Sequence, residues 1–139
     1  MIRYTYRVLQ ASWGVYVAIK GSVDLVAERV VPADSLRVGD LALVVRCAFR
    51  LGEAELECIE KGLELAKPLV GSFIRDGMVA FVAVDDIEIV ETDFQSEGLA
   101  CAVAGLVCTS FNVAPPHIDA QYDKATNRYI FDFSTTKGP

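Results

Sequence analysis

The chain has 139 residues, 53% hydrophobic and 23% charged, with a mean hydropathy of +0.34; such a composition folds around a core and excludes disorder, and the length suits one domain spanning 1–139. Thirteen Lys and Arg against nineteen Asp and Glu leave a net charge of −6, the wrong sign for affinity drawn from phosphates, which excludes DNA as a partner. The longest apolar run, Leu99 to Cys108, falls short of about 30 Å of hydrocarbon, so no membrane is expected.

Met1 to Leu9 sets Arg3 and Arg7 among alternating aromatics and lacks the apolar centre of a signal peptide, so a cytoplasmic protein is expected. Residues Arg3 to Leu9 alternate with the period of a strand, Ala11-Ser12-Trp13-Gly14 supplies a turn, and Val15 to Ile19 continues as a second strand, predicting a β-hairpin. Pro32 to Ser35 and Val38-Gly39-Asp40 mark loops. Leu41 to Phe49 then reads as a strand with Leu43, Val45, Cys47 and Phe49 on one face.

From Glu53 to Ala66 the period becomes helical: Leu56, Ile59, Leu63 and Ala66 form one apolar stripe and glutamates fill the remainder. Pro68 is expected to end this helix, because proline cannot donate to the ladder and disfavours helical backbone at Lys67. Gly71 to Gly77 reads as loop, and Met78 to Val90 as a β run interrupted by Asp85-Asp86. A second helix is expected from about Gln95 to Thr109, with Asp93 as N-cap. Its body, from Leu99 to Cys108, is apolar on every side and must be buried all round, with Gly98, Cys101, Ala102, Gly105 and Cys108 as a small-residue face that lets it lie close to a sheet.

Beyond Pro115-Pro116, His117 to Asp123 and Arg128 to Phe133 alternate about a turn at Lys124 to Asn127, predicting a closing hairpin with Ile118, Ala120 and Tyr122 on one strand opposite Tyr129, Phe131 and Phe133 on the other. Residues 134–139 are expected to form a flexible tail. The element order β-β-β-α-β-α-β-β predicts an α+β two-layer sandwich, a mixed sheet with two helices on one face.

Two segments resemble domain IV of translational elongation factor G. Ile59-Glu60-Lys61-Gly62-Leu63-Glu64-Leu65-Ala66 followed by Pro68-Leu69-Val70-Gly71 is similar to that family's helix ending in "EKGI..A" and its "PL.G" turn. Ser96-Glu97-Gly98-Leu99-Ala100 through Gly105 is similar to the "SSE.AF..AA" helix, and Trp13 to Val17 echoes the "YG.V.." strand. The resemblance implies a left-handed βαβ crossover and a domain without catalysis of its own, whose two tip loops reach the decoding region of the ribosome. This chain departs from the family by having no G-x-x-x-x-G-K-[ST] phosphate cradle. Its first tip is reduced to Ser12-Trp13-Gly14 and its second to the acidic stretch Asp85 to Glu91.

Candidate chemistry is sparse. Cys47, Cys58, Cys101 and Cys108 lie in apolar stretches with no C-x-x-C pair, and His117 is the only histidine, so buried thiols without metal or cofactor are expected. Asp85, Asp86 and Glu88, with Glu91 and Asp93, could gather a cation or share protons, but alternate residues of a strand point oppositely and a solvated strand end is the simpler reading. Trp13 and Tyr16 could form a stacking platform or cover one strand face. His117 has no nucleophile at a motif spacing. The candidate partner or ligand surface is therefore Trp13, Tyr16, Asp85, Asp86, Glu88 and His117. A non-enzymatic binding or accessory protein is expected, a homodimer with a ribosomal or protein partner; the alternative is a small biosynthetic enzyme or ligand-binding protein on the same fold.

Overall fold

Alternation from Ile2 to Leu9 gives β1 in the computed structural model, which describes residues 1–135. Ile2, Tyr4, Tyr6 and Val8 are half-buried while Arg3, Thr5, Arg7 and Leu9 are exposed. β1 runs antiparallel to β2 (Gly14–Ala27), with Tyr4 opposite Ile19 and Tyr6 opposite Val17. A short β3 (Leu36–Val38) turns through Gly39, in the left-handed region at φ +58°, into β4 (Leu41–Val45). Helix α1 (Glu53–Val70) leads to β5 (Met78–Ile89), which lies antiparallel to β2 and parallel to β4. Helix α2 (Glu97–Ser110) follows, and β6 (Asp119–Asp123) pairs with β7 (Arg128–Asp132) in a separate two-stranded sheet.

The five-stranded sheet has the order β1-β2-β5-β4-β3. With both helices on one face it forms the expected α+β two-layer sandwich. Apolar side chains of the sheet (Val17, Ile19, Leu41, Leu43, Val82, Val84) meet Ile59, Leu63, Leu99, Val103 and Leu106 of the helices in the main core. None of the described helices is long and apolar enough to cross a membrane.

Helix α2 is buried from Gly98 to Cys108, as its composition requires. Gly105 sits against the sheet, and a Cβ there would run into the ring of Tyr4. Leu99 and Val103 belong to the main core, beside Ile59 and Leu63 of α1. Ala100, Cys101 and Ala104 form a second cluster with Leu65 and Ile118, against which Phe131 and Phe133 pack. Sheet, first helix and closing hairpin thus cover α2 from within one chain, and the apolar helix needs no second copy to hide it.

Several local expectations are corrected. Pro68 lies inside α1, which continues to Val70; Glu64, whose carbonyl loses its partner, is on the exposed side, and burial of Ala66 and Val70 holds the last turn. The strand from Leu41 stops at Val45, although Cys47 and Phe49 still touch the core. β3 begins between the two segments read as loops and takes Val38 from the second of them. Asp93 does not cap α2; the N-cap is Ser96, and Asp93 Oδ1 instead accepts a hydrogen bond from the Gly14 N–H at 3.0 Å. The last strand ends at Asp132, and Phe133 joins the first two residues of the expected tail in a 3₁₀ turn, Phe133–Thr135; residues 136–139 lie outside the described residues.

Candidate functional site

Because β2 lies between β1 and β5, the β1–β2 turn (residues 10–13) and the segment after β5 leave the sheet at the same end. The β6–β7 hairpin closes over that end. Trp13 meets the rings of Tyr129 and Tyr122 edge-on, with centroids 5.1 and 6.3 Å away. Its indole Nε1 donates to Asn127 Oδ1 at 3.0 Å, and the Tyr122 hydroxyl donates to the same oxygen. Tyr129 is 1% exposed; its hydroxyl donates to the Trp13 carbonyl at 2.6 Å and accepts from the Gln10 N–H at 2.8 Å. Trp13 is therefore the anchor of the closing hairpin, held edge-on to two tyrosines.

Two glutamines complete the attachment by acting as substitute strands. Gln95, 4% exposed, donates through Nε2 to the Tyr129 carbonyl at 2.6 Å and accepts through Oε1 from the Tyr129 N–H at 2.9 Å. Gln10 does the same on β6, donating to the Ala120 carbonyl at 2.6 Å and accepting from the Tyr122 N–H at 2.8 Å. Each amide satisfies one donor and one acceptor that a neighbouring strand would otherwise take. Nothing in the sequence marks these glutamines: the partners lie 34 and 110 or more residues away.

Tyr16 and Glu88 meet on the sheet face that no helix covers, and Asp86 lies on the same face two residues along β5. The Tyr16 hydroxyl donates to Glu88 Oε1 at 3.4 Å, and Arg3 Nη2 reaches the same oxygen at 3.3 Å. The Arg3 guanidinium is raised above its ordinary pKa, first by its hydrogen bond to Tyr16 and then by the charge of Glu88. Asp86 stands across from Lys20. Asp85 is the extra residue of a β-bulge: Gly21 pairs with Val84 and Lys20 with Asp86, leaving Asp85 without a partner position. The acidic stretch is thus largely strand, Asp85 to Ile89 belonging to β5 rather than to a tip loop. His117 takes no part in this group: its Nε2 lies 3.1 Å from Asp119 Oδ1 and its side chain is 89% exposed.

Burial pushes the thiols up: Cys101 to about 12, and Cys58 and Cys108 to about 11. That direction suppresses the thiolate at neutral pH and so opposes nucleophilic or metal-binding chemistry. An open groove of about 270 Å³ lies at the tip, between Arg7, Leu9, Tyr16, Val90 and Asp93. Among the described residues no group of three or more His, Cys, Asp or Glu is placed to hold a metal ion. Comparisons with protein-family models, with curated proteins and with solved structures find no match.

Proposed function

We propose that the chain is a non-enzymatic binding or accessory protein, built like a stand-alone elongation factor G domain IV and working in the cytoplasm by contact with the ribosome or with a protein partner. The observation that carries this is the tip. The turn at residues 10–13 and the segment after Ile89 emerge side by side, as two tip loops of such a domain would, and Asp93 ties the second to Gly14 of the first. The hairpin then braces the first loop through Trp13. A braced surface suits binding, since less side-chain entropy is lost on contact. The raised thiols argue against an activated nucleophile. All four cysteines are free, which suits a reducing compartment.

Co-sedimentation with ribosomes across a salt series tests the proposal. The expected result is pelleting at about 50 mM salt that declines as salt rises, and weaker pelleting of Trp13→Ala. Absence from the pellet at low salt withdraws the ribosome and leaves the protein partner. A thermal shift with one metal or metabolite, abolished by changing residues of the tip groove, would replace binding by the small-enzyme reading.

A further inference from the structure

The five-stranded sheet has two edges: β3, three residues long, and β1, eight residues long. A long edge is a template for another strand, and folded proteins blunt it with proline, a bulge, an inward-pointing charge or a covering segment. β1 contains no proline, its register with β2 runs unbroken from Ile2 to Leu9, and its two charges, Arg3 and Arg7, are on the exposed face. Among the described residues no backbone group outside β2 hydrogen-bonds to the backbone of β1. The stretch from Pro115 to Gln121 runs beside this edge without pairing to it. Two adjoining grooves of about 420 and 410 Å³ separate them, one between Tyr4 and His117 and the next between Tyr6 and Gln121. Gln10 closes the end nearest the β1–β2 turn with its two bonds to β6.

We propose that this edge takes up an extended acidic segment of a partner protein, which adds to the sheet as a further strand beside β1. In a chain of net charge −6, β1 carries two arginines and no acid. Arg3, Thr5 and Arg7 share one face, so carboxylates on alternate residues of an added strand stand opposite Arg7 and beside Arg3, which already holds Glu88. Arg7 makes no ion pair among the described residues. On the other face the added strand lies beside Tyr4, Tyr6 and Ile118, which favours aliphatic residues between the acids. A second copy of the chain is a poorer occupant: antiparallel pairing of two β1 strands about Thr5 sets Arg3 directly against Arg7 twice, a like-charge contact that destabilises the pair. Main-chain bonds then supply affinity, and the alternation supplies selectivity.

This site rests on the binding-protein reading above, and the two are tested separately. The probe is a fluorescein-labelled octapeptide alternating glutamate with valine, titrated by anisotropy while amide exchange is followed along the chain. A lysine–valine octapeptide and a peptide of the same glutamate and valine content in two blocks are the controls. The alternating acidic peptide is expected to bind, the controls to bind at least about tenfold more weakly, and the β1 amides to exchange more slowly in the complex. Arg7→Glu, at an exposed position, should lose about tenfold in affinity for the acidic peptide and gain affinity for the lysine peptide. Equal binding of the block peptide, unchanged affinity in Arg7→Glu, or protection confined to strands other than β1 overturns the proposal, as does a doubled mass by light scattering that excludes the peptide. Failure of the peptide with ribosome pelleting intact removes the strand site alone; absence from the pellet with the peptide bound withdraws the ribosome and keeps the strand site.

Discussion

At position 105 there is room for a hydrogen atom and for little else. Gly105 packs its backbone against the Tyr4 ring, and any side chain there must displace the ring or the helix. Gly105→Leu is therefore expected to cost on the order of 1–3 kcal/mol by overpacking, read as a lower urea midpoint. Tyr4→Ala in the same chain should return part of that loss by opening the space; equal stability of Gly105→Leu and the parent would mean that the helix does not lie this close to β1. This contact was legible in the sequence, because a helix of uniformly apolar residues with small ones at helical spacing has one physical use, close approach. The buried Gln95 was not. A lone glutamine before a helix reads as a first-turn residue, and what makes it a strand substitute is the position of Tyr129, 34 residues further on.

At the scale of elements, the closing hairpin is the piece whose attachment is polar and local. Two glutamine amides, one tyrosine hydroxyl and the Trp13 indole hold it at one end, and Phe131 and Phe133 hold it against the helix cluster at the other. Gln95→Leu deletes three hydrogen bonds, one to Glu97 and two to Tyr129, and leaves the Tyr129 N–H and carbonyl buried without partners, for an expected loss of about 2–4 kcal/mol. The loss should be uneven: amides from 119 to 132 are expected to exchange faster and Trp13 fluorescence to shift, with β2 and β5 little changed. A uniform loss across the chain would show that the hairpin unfolds only with the whole. Strong periodicity made both helices, the two hairpins and β5 readable, but end effects escaped it. Pro68 reads as a stop because its local geometry opposes a helix, yet burial of Val70 two residues later outweighs one missing bond on an exposed side. β3 is too short for a period of two to register, and the bulge at Asp85 depends on the register with β2, which no local pattern encodes. Of the candidate surface residues, Tyr16 and Glu88 meet and Asp86 lies on the same face, whereas Trp13 holds the hairpin and His117 pairs with Asp119.

At the scale of the molecule, the same burial that quiets the thiols makes the fold sensitive to base. An unfolded thiol releases its proton near pH 9, whereas the folded chain keeps those of Cys58 and Cys108 to about 11 and that of Cys101 to about 12. Between these limits the unfolded state binds fewer protons than the folded one, so stability falls as pH rises. Burial also raises Tyr4 and Tyr6, which extends the decline beyond pH 10. Denaturant midpoints are expected to be indifferent to these groups below pH 9 and to drop above it, and Cys101→Ala should make the drop shallower. A midpoint that stays level to pH 11 would show that these side chains reach water in the folded state.

The strand order has a further consequence for how the molecule comes into being. β1–β2 and β3–β4 are each made of neighbours in sequence, but they join only through β5, which is inserted between them and ends at Ile89. Until that residue has left the site of synthesis, each hairpin exposes an apolar face and an open flank with nothing to shield it. Late arrival of the keystone strand makes the first two-thirds of the nascent chain the stretch most in need of a chaperone's protection, and slow decoding just upstream of β5 the surest way to lose the protein to aggregates.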